Sequence, residues 1–234
     1  MDSNRMFPFI TKTWNPVRAT CPHNCKYCWA KQLIKKYNMT KYVVKEPQFI
    51  KTKTNFTNKD FIFVCDMIDL FADTMPSIII QKVINITYNY LDTTFLFLTK
   101  NPKRYLEFKF PMNCILGATI ESDINYPEIS KAPLQQNRLK VMKELTARFN
   151  VYDYAYDNAI FISIEPILDF TSDFIKKLLS FQLKGQFAVA VGYDNYNNKL
   201  PEPELEKTKW LIQILKDNDI KVYEKTIRKA WYEK

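Results

Sequence analysis

Short apolar runs alternate with longer amphipathic segments along most of the chain. Runs rich in β-branched and aromatic side chains predict strands, because these side chains pack well on a pleated, buried surface. Segments with apolar residues three and four positions apart predict helices that bury one face. The predicted strands are 9–17, 61–65, 95–99, 114–120, 159–165, 187–193 and 221–225; the predicted helices are 26–37, 133–148, 172–181 and 202–216, with others opened by Pro76 and by Asn101-Pro102.

Repeated strand–helix units of about 30 residues predict parallel strands joined by right-handed crossovers. The strands are almost continuously apolar, which is typical of a sheet buried on both faces. Six or seven units are fewer than the eight that close a full barrel. We therefore expect an α/β fold, a partial (β/α)6–7 TIM-like barrel, in a single domain over 1–234 with a possible insertion at 38–59. A flat doubly wound sheet is the alternative.

Composition and charge narrow the choice of partners. Hydrophobic residues make up 47% of the 234 residues, which suffices for a large core. No apolar run approaches the roughly 20 residues of a membrane-spanning helix, and the first residues, MDSNRMFPFITKTW, do not resemble a signal peptide. We therefore expect a cytoplasmic protein without a membrane partner. The net charge of +9 favours an anionic partner such as a nucleic acid or nucleotide, although a solvated surface explains it equally well.

Three of the five cysteines lie within eight residues, in the segment CPHNCKYC. Clustered thiols indicate metal or redox chemistry rather than a disulfide framework. Cys21, Cys25 and Cys28 form C-x3-C-x2-C in the loop 18–30, and three thiolates leave one iron of a 4Fe–4S cubane open for a small molecule. Structural zinc needs four ligands, and His23 would have to fold back sharply to be the fourth. The pattern favours the iron–sulfur site and makes His23 an ordinary loop residue.

The cysteine motif, with an aromatic residue (Tyr27) before its last cysteine, resembles the signature of the radical S-adenosylmethionine (SAM) superfamily. The motifs TWNPVRATCPHNCKYCWA, FVCDMIDLFADTMP, FLFLTKNPKRY, LGATIES, FISIEPIL and VYEK extend the resemblance over most of the chain. They are similar to a phage and prokaryotic radical SAM-like family of unknown function that is related to spore photoproduct lyase. One departure is that Cys65-Asp66-Met67-Ile68-Asp69 stands where the superfamily has a Gly-Gly-Glu-like motif.

The resemblance implies an enzyme with two cofactors, a 4Fe–4S cluster and SAM. The reduced cluster would cleave SAM to a 5′-deoxyadenosyl radical that abstracts hydrogen from a substrate, which the charge suggests is a nucleic acid base or nucleotide. It also implies an external electron donor of flavodoxin or ferredoxin type, and a place for Tyr27 in the cofactor site. The alternative hypothesis is a zinc-stabilised nucleic-acid-binding protein without catalysis.

Polar residues follow several predicted strands, where the reaction centre of a parallel barrel forms. Asp66 is a candidate for the SAM ammonium, Glu121 for its ribose, and Ser163 for the same cofactor site. Glu165 is a candidate catalytic residue that contacts SAM or substrate. Helix caps and solvated turns explain such residues equally well.

Other candidates are less specific. Cys65, after the second main strand, can return a hydrogen atom to a substrate radical, but buried cysteine is also a common small hydrophobe, and that reading is favoured. Lys100 and Arg104 can bind a phosphate or the SAM carboxylate, or lie on the surface. The tyrosines at 152, 154 and 156 can stack on unpaired bases, although alternating tyrosines more often line a half-buried edge.

Overall fold

The computed structural model describes residues 6–151, 159–181 and 187–234, apart from the side chains of 148–151, and in these ranges the chain forms nine strands and five α-helices. The strands are β1 (Lys12–Trp14), β2 (Val17–Arg18), β3 (Gln48–Phe49), β4 (Phe61–Val64), β5 (Thr94–Thr99), β6 (Cys114–Thr119), β7 (Ile160–Ile164), β8 (Phe187–Val191) and β9 (Lys221–Glu224). The helices are α1 (Trp29–Lys36), α2 (Ser77–Thr87), α3 (Gln135–Val151), α4 (Ser172–Leu179) and α5 (Leu205–Asp217), with 3₁₀ helices at Thr40–Tyr42 and Pro102–Glu107.

Seven strands form one sheet in the order β1-β4-β5-β6-β7-β8-β9, and all neighbours are parallel. Each strand of this sheet therefore lies next to its successor in the chain. A doubly wound sheet reverses its strand order at a switch point, so this order excludes the flat alternative. Because β1 and β9 are the two edges, the sheet is open. The prediction of an α/β fold with a partial TIM-like barrel is confirmed.

The first predicted strand, 9–17, is wrong in its extent. Only Lys12–Trp14 joins the main sheet, whereas Val17 pairs with Phe49 in a separate two-stranded antiparallel sheet. The break falls at Asn15-Pro16, because proline has no N–H with which to continue a ladder. The rest of the segment 38–59 is irregular, as predicted, apart from β3 and one 3₁₀ helix.

Local signals explain where the helices begin. Thr171 caps α4 by accepting a hydrogen bond from the Asp173 backbone N–H at 3.2 Å, as predicted. Pro76 stands directly before α2 as its N-cap. The first helix begins at Trp29 rather than near residue 26, because the Cys28 thiol accepts from the Lys31 backbone N–H at 3.3 Å and acts as the N-cap. No helix in the described ranges is long and apolar enough to cross a bilayer.

The two faces of the sheet are buried by different partners. The outer face packs against the helices in the largest core cluster, which includes Ile162 of β7 and Leu211 of α5. The inner face forms a smaller cluster of Phe7, Ile10, Phe63, Leu96, Phe161 and Ala190, to which the N-terminal segment rather than a helix contributes. This packing explains why the strands read as continuously apolar.

Candidate functional site

The cysteine loop connects β2 with α1 and lies at the carboxyl edge of the sheet. Its backbone turns through Asn24, which has a left-handed conformation with φ of 46°. The segment 129–131 holds one side of the loop: the Ile129 carbonyl accepts from the Lys26 N–H at 2.9 Å, and the Lys131 N–H donates to the His23 carbonyl at 2.7 Å. The Cys25 thiol and the Ser130 hydroxyl are 3.1 Å apart.

The three loop thiols lie in a shielded environment. Burial raises the pKa of Cys21 to about 12, and the charge of Asp69 acts in the same direction. Burial also raises the pKa of Cys28. The Cys21 and Cys28 thiols are therefore protonated at neutral pH, and a metal would have to displace their protons on binding.

The donor set has iron–sulfur chemistry: three thiols on one short loop and no fourth cysteine beside them. Within residues 6–151, 159–181 and 187–234, no three His, Cys, Asp or Glu side chains converge in the arrangement of a metal site. The thiols therefore fit the cluster by their chemistry and their shared loop rather than by their present convergence.

His23 is buried and its Nε2 lies 2.8 Å from Asp69 Oδ2. Asp69 also accepts from the Thr99 hydroxyl at 2.7 Å and from the backbone N–H of Lys100 at 2.8 Å. Burial alone would raise the pKa of Asp69, but the hydrogen bonds and the charge of His23 bring it below its ordinary value. His23 thus has a polar partner on the sheet, and only its Nδ1 would remain for a metal.

Tyr27 and Glu121 form the centre of a second buried group. The Tyr27 hydroxyl donates to Glu121 Oε1, and Lys100 Nζ lies 3.1 Å from the same oxygen. The other oxygen accepts from Arg138 Nη1 at 2.8 Å. Burial opposes ionisation of Glu121, but Arg138, Lys100 and Tyr27 together lower its pKa to about 2. Glu121 is 1% exposed, so a ribose contact there requires that one of these donors be released.

A half-buried ion pair lies beside this group on the inner face. Glu165, joined to Pro166 by a cis peptide bond, lies 3.2 Å from Lys225 Nζ, and the Ser163 hydroxyl is 3.5 Å from its carboxylate. Burial raises the pKa of Glu165 despite the opposing charge of Lys225. The neighbouring Gly192 leaves room for the pair, since a Cβ there would lie 2.9 Å from Glu165 Oε1.

Two predicted site residues lie apart from these groups. Asp66 accepts from the Asn15 side-chain amide at 2.5 Å, and burial raises its pKa. Cys65 has a left-handed backbone with φ of 58° and belongs to the core cluster of the outer face, where burial raises its pKa well above the ordinary value. The favoured reading of Cys65 as a buried hydrophobe agrees with this position. Its role as a hydrogen-atom donor, and the SAM contact at Asp66, stay predictions.

Arg104 is buried rather than on the surface, and its guanidinium is bonded within the fold. It donates to the backbone carbonyls of Ala72 and Met75 at 3.0 and 2.8 Å, and to Glu107. The tyrosines at 152, 154 and 156 lie outside the described residues.

Sequence reasoning missed Arg138 and Lys225, and it gave no role to His23 or Asp69. A signal for Arg138 exists in the pattern: it lies four residues before the buried Met142, so it is a cation on the apolar stripe of α3. No comparable signal marks Lys225, because a single lysine at the end of a short strand is common.

Comparisons with known proteins give little beyond the family. No curated protein matches the chain. Among solved structures, a radical SAM methyltransferase from Sphaerobacter thermophilus aligns with 94% of this chain and 67% of its own, at 12% identity and a TM-score of 0.49. At that identity and TM-score the likeness carries no argument about this protein. The family model described as Protein of unknown function (DUF5131) matches residues 5–178, which is well over half of the chain. The chain therefore belongs to this family.

Proposed function

We propose that this protein is a radical SAM enzyme in which Cys21, Cys25 and Cys28 hold a 4Fe–4S cluster. The observation that carries the proposal is that one short loop at the carboxyl edge of a parallel sheet supplies three neighbouring thiols. Polar side chains that follow β4, β5 and β6 contact that loop, at the end of the sheet where parallel barrels carry their reaction centres.

The cluster, when bound, supplies an electron that cleaves SAM to methionine and a 5′-deoxyadenosyl radical, as the sequence resemblance implies. The protein's own contribution is to bind and orient the reactants and to exclude water. The three thiols would give up their protons and turn inward to meet the cluster, because their side chains do not converge at present. Burial of His23, Cys25 and Tyr27 would shield one side of this chemistry from bulk solvent.

The inner-face residues have separate tasks in this proposal. Glu165 and Lys225 form a partly exposed pair of opposite charges, which suits recognition of a ligand that carries both an acidic and a basic group. Ser163 supplies a hydroxyl beside this pair. The substrate class that best suits the net charge of +9 is anionic, a nucleic acid base or a nucleotide. The electron donor would be an external protein of flavodoxin or ferredoxin type.

The test is to purify and reconstitute the protein without oxygen and to measure iron, sulfide and SAM cleavage. We expect about four irons and four sulfides per chain and, after reduction, 5′-deoxyadenosine from added SAM. Deuterium transferred from a labelled nucleic acid into this product would identify the substrate. Stoichiometric zinc with no iron, or a cluster that never cleaves SAM, would refute the proposal.

Paired cysteine variants sharpen this test. Cys25→Ala should abolish cluster binding, because two thiolates cannot hold a cubane that needs three. Cys114→Ala is the matched control, since Cys114 is also buried but begins β6 at the amino edge of the sheet. It should bind a full complement of iron. Equal iron loss in both variants would mean that the loop has no special role.

A further inference from the structure

The cysteine loop alternates between thiols and anchored side chains. Cys21, Cys25 and Cys28 are separated by His23 and Tyr27, and both intervening side chains are directed to the sheet, where each contacts a buried carboxylate. His23 is 4% exposed and Tyr27 is 9% exposed, so both contacts are made in the interior of the protein. The loop itself contains no helix or strand between β2 and α1, and its shape therefore depends on such contacts.

The carboxylate of Asp69 is itself rigidly held. It follows β4 and bridges to the end of β5 through Thr99 and the Lys100 backbone, and its Oδ1 also accepts from the Phe71 N–H at 2.9 Å. A side chain with this many donors has little freedom to move. His23 is thereby fixed to two strand ends of the sheet.

The carboxylate of Glu121 is held in the same way at the end of β6. Arg138 is 1% exposed, and besides Glu121 it donates to the carbonyls of Thr119 and Pro133 at 2.8 and 2.6 Å. Burying an arginine with a glutamate seldom raises stability above that of an apolar pair, so its presence calls for another reason, such as specifying one arrangement. The arrangement specified here is the position of Tyr27.

We propose that Asp69 and Glu121 are positioning residues that set the cysteine loop through His23 and Tyr27. The Asp69–His23 contact fixes the first half of the loop, around Cys21 and Cys25. The Glu121–Tyr27 contact fixes the second half, around Cys25 and Cys28. The importance of this arrangement for catalysis depends on the proposed function, but the arrangement itself does not require a bound cluster.

Site-resolved alkylation of the apo-protein tests the proposal. Each cysteine is labelled with iodoacetamide under native conditions and its rate is read by peptide mass spectrometry. Tyr27→Phe removes only the hydroxyl and should speed labelling of Cys28 and Cys25 about tenfold, with little change at Cys21. Asp69→Asn should speed labelling of Cys21 and Cys25 together instead. Because the charge of Asp69 also raises the pKa of Cys21, acceleration confined to Cys21 would be an electrostatic effect and would contradict the positioning role. Cys65 and Cys114 report on global unfolding in the same molecules.

Two matched controls make the same chemical changes elsewhere. Tyr105→Phe removes a buried hydroxyl that donates to the Phe97 and Gly117 carbonyls, and Asp123→Asn alters a buried carboxylate that accepts from Thr171. We expect neither control to accelerate labelling in only one half of the cysteine loop. A merely structural role for the loop contacts would instead make Tyr27→Phe and Asp69→Asn behave like these controls.

The outcomes separate this proposal from the proposed function. Unchanged loop labelling in folded Tyr27→Phe and Asp69→Asn, or uniform acceleration of all five cysteines, overturns the positioning role. The half-specific pattern in a protein that never binds iron supports the positioning role while refuting the radical SAM function. In reconstituted protein, we also expect Tyr27→Phe to lose its cluster to a chelator several times faster and to alter its paramagnetic resonance spectrum.

Discussion

The amino half and the carboxyl half of the inner sheet face stand on the same strands but differ in chemistry. The amino half is apolar: Phe161 packs edge-to-face on Phe7 with ring centroids 4.9 Å apart, beside a cavity of about 240 Å³. The carboxyl half carries charges, among them Lys100, Glu121 and Glu165. The face changes from apolar to polar within two to four residues of one strand, from Phe161 to Ser163 and Glu165, which is a distance of about 7 to 14 Å.

The difference indicates that the amino half stabilises the fold and the carboxyl half forms the candidate site. In the amino half, one apolar side chain can be replaced by another of similar volume, since any well-packed apolar set would fill that part of the core. In the carboxyl half, each charged group has a named partner at hydrogen-bonding distance, and replacing one leaves another unpaired. Substitutions in the two halves should therefore show that stability and site chemistry are separable along one face.

The largest effect should come from the amino half. Phe161→Ala removes a ring that is 2% exposed, and it should lower the free energy of unfolding by about 3–5 kcal/mol in urea denaturation. Iron bound per folded chain should not change. Ser163→Ala, two residues further along the same face, is the control and should cost less than about 1 kcal/mol. A larger cost at Ser163 than at Phe161 would contradict this difference between the two halves.

An intermediate effect should come from Glu121 and should depend on pH. Its pKa of about 2 in the folded state lies below the ordinary 4.5, so the native state favours the ionised form. The resulting stabilisation is fully present above pH 4.5 and is lost as the pH falls from there through 2, and it amounts to about 3 kcal/mol.

Glu121→Gln should therefore be less stable than the native chain at neutral pH, and should lose less stability between neutral and acidic pH. Unfolding by urea at a series of pH values measures this slope. Glu107→Gln is the matched control, because Glu107 also pairs with an arginine but its side chain is 45% exposed. Its acid limb should match that of the native chain. Parallel acid limbs in all three proteins would show that the buried pair contributes nothing special.

The smallest effect should come from Gly192. A Cβ there would lie 2.9 Å from Glu165 Oε1 and 3.1 Å from Lys225 Cβ, so Gly192→Ala should cost about 1–3 kcal/mol and displace the pair. Adding Glu165→Ala should relieve part of that cost, which a double-mutant cycle measures.

Gly117→Ala is the comparison for this cycle, because its Cβ would meet Leu98 Cδ1 at 3.0 Å and the Phe161 and Phe97 carbonyls at 3.2 Å, and none of these atoms belongs to Glu165. Glu165→Ala should not relieve that clash. Equal relief at both glycines would mean that the contact with Glu165 is not the cause.

Most of the fold was predictable because strand and helix periods depend on local residue pattern. β4 to β9 fall within one or two residues of the predicted runs, and Thr171 caps its helix as its residue type indicates. The error at 9–17 arose where a proline divided one apolar run between two sheets. The cysteine loop could be recognised by spacing alone, since the three thiols are neighbours in the chain.

The partners of the site residues could not be predicted in the same way. The sequence predicts Glu121 as a free carboxylate at a strand end, but Arg138, seventeen residues later on α3, donates a hydrogen bond to it. Glu165 pairs with Lys225, sixty residues away. Such pairs depend on which strand ends become neighbours in the sheet, and the spacing of apolar residues along the chain does not specify those neighbours.

The sequence by itself determined the parallel strand–helix repeat and the three clustered thiols, because both are set by residues close together in the chain. Tertiary structure decided that His23 and Tyr27 contact buried carboxylates from two different strand ends, and that Cys65 joins the outer core. The physical reason is that a side chain's ionisation and hydrogen bonding depend on its spatial neighbours, which only the packed sheet brings together.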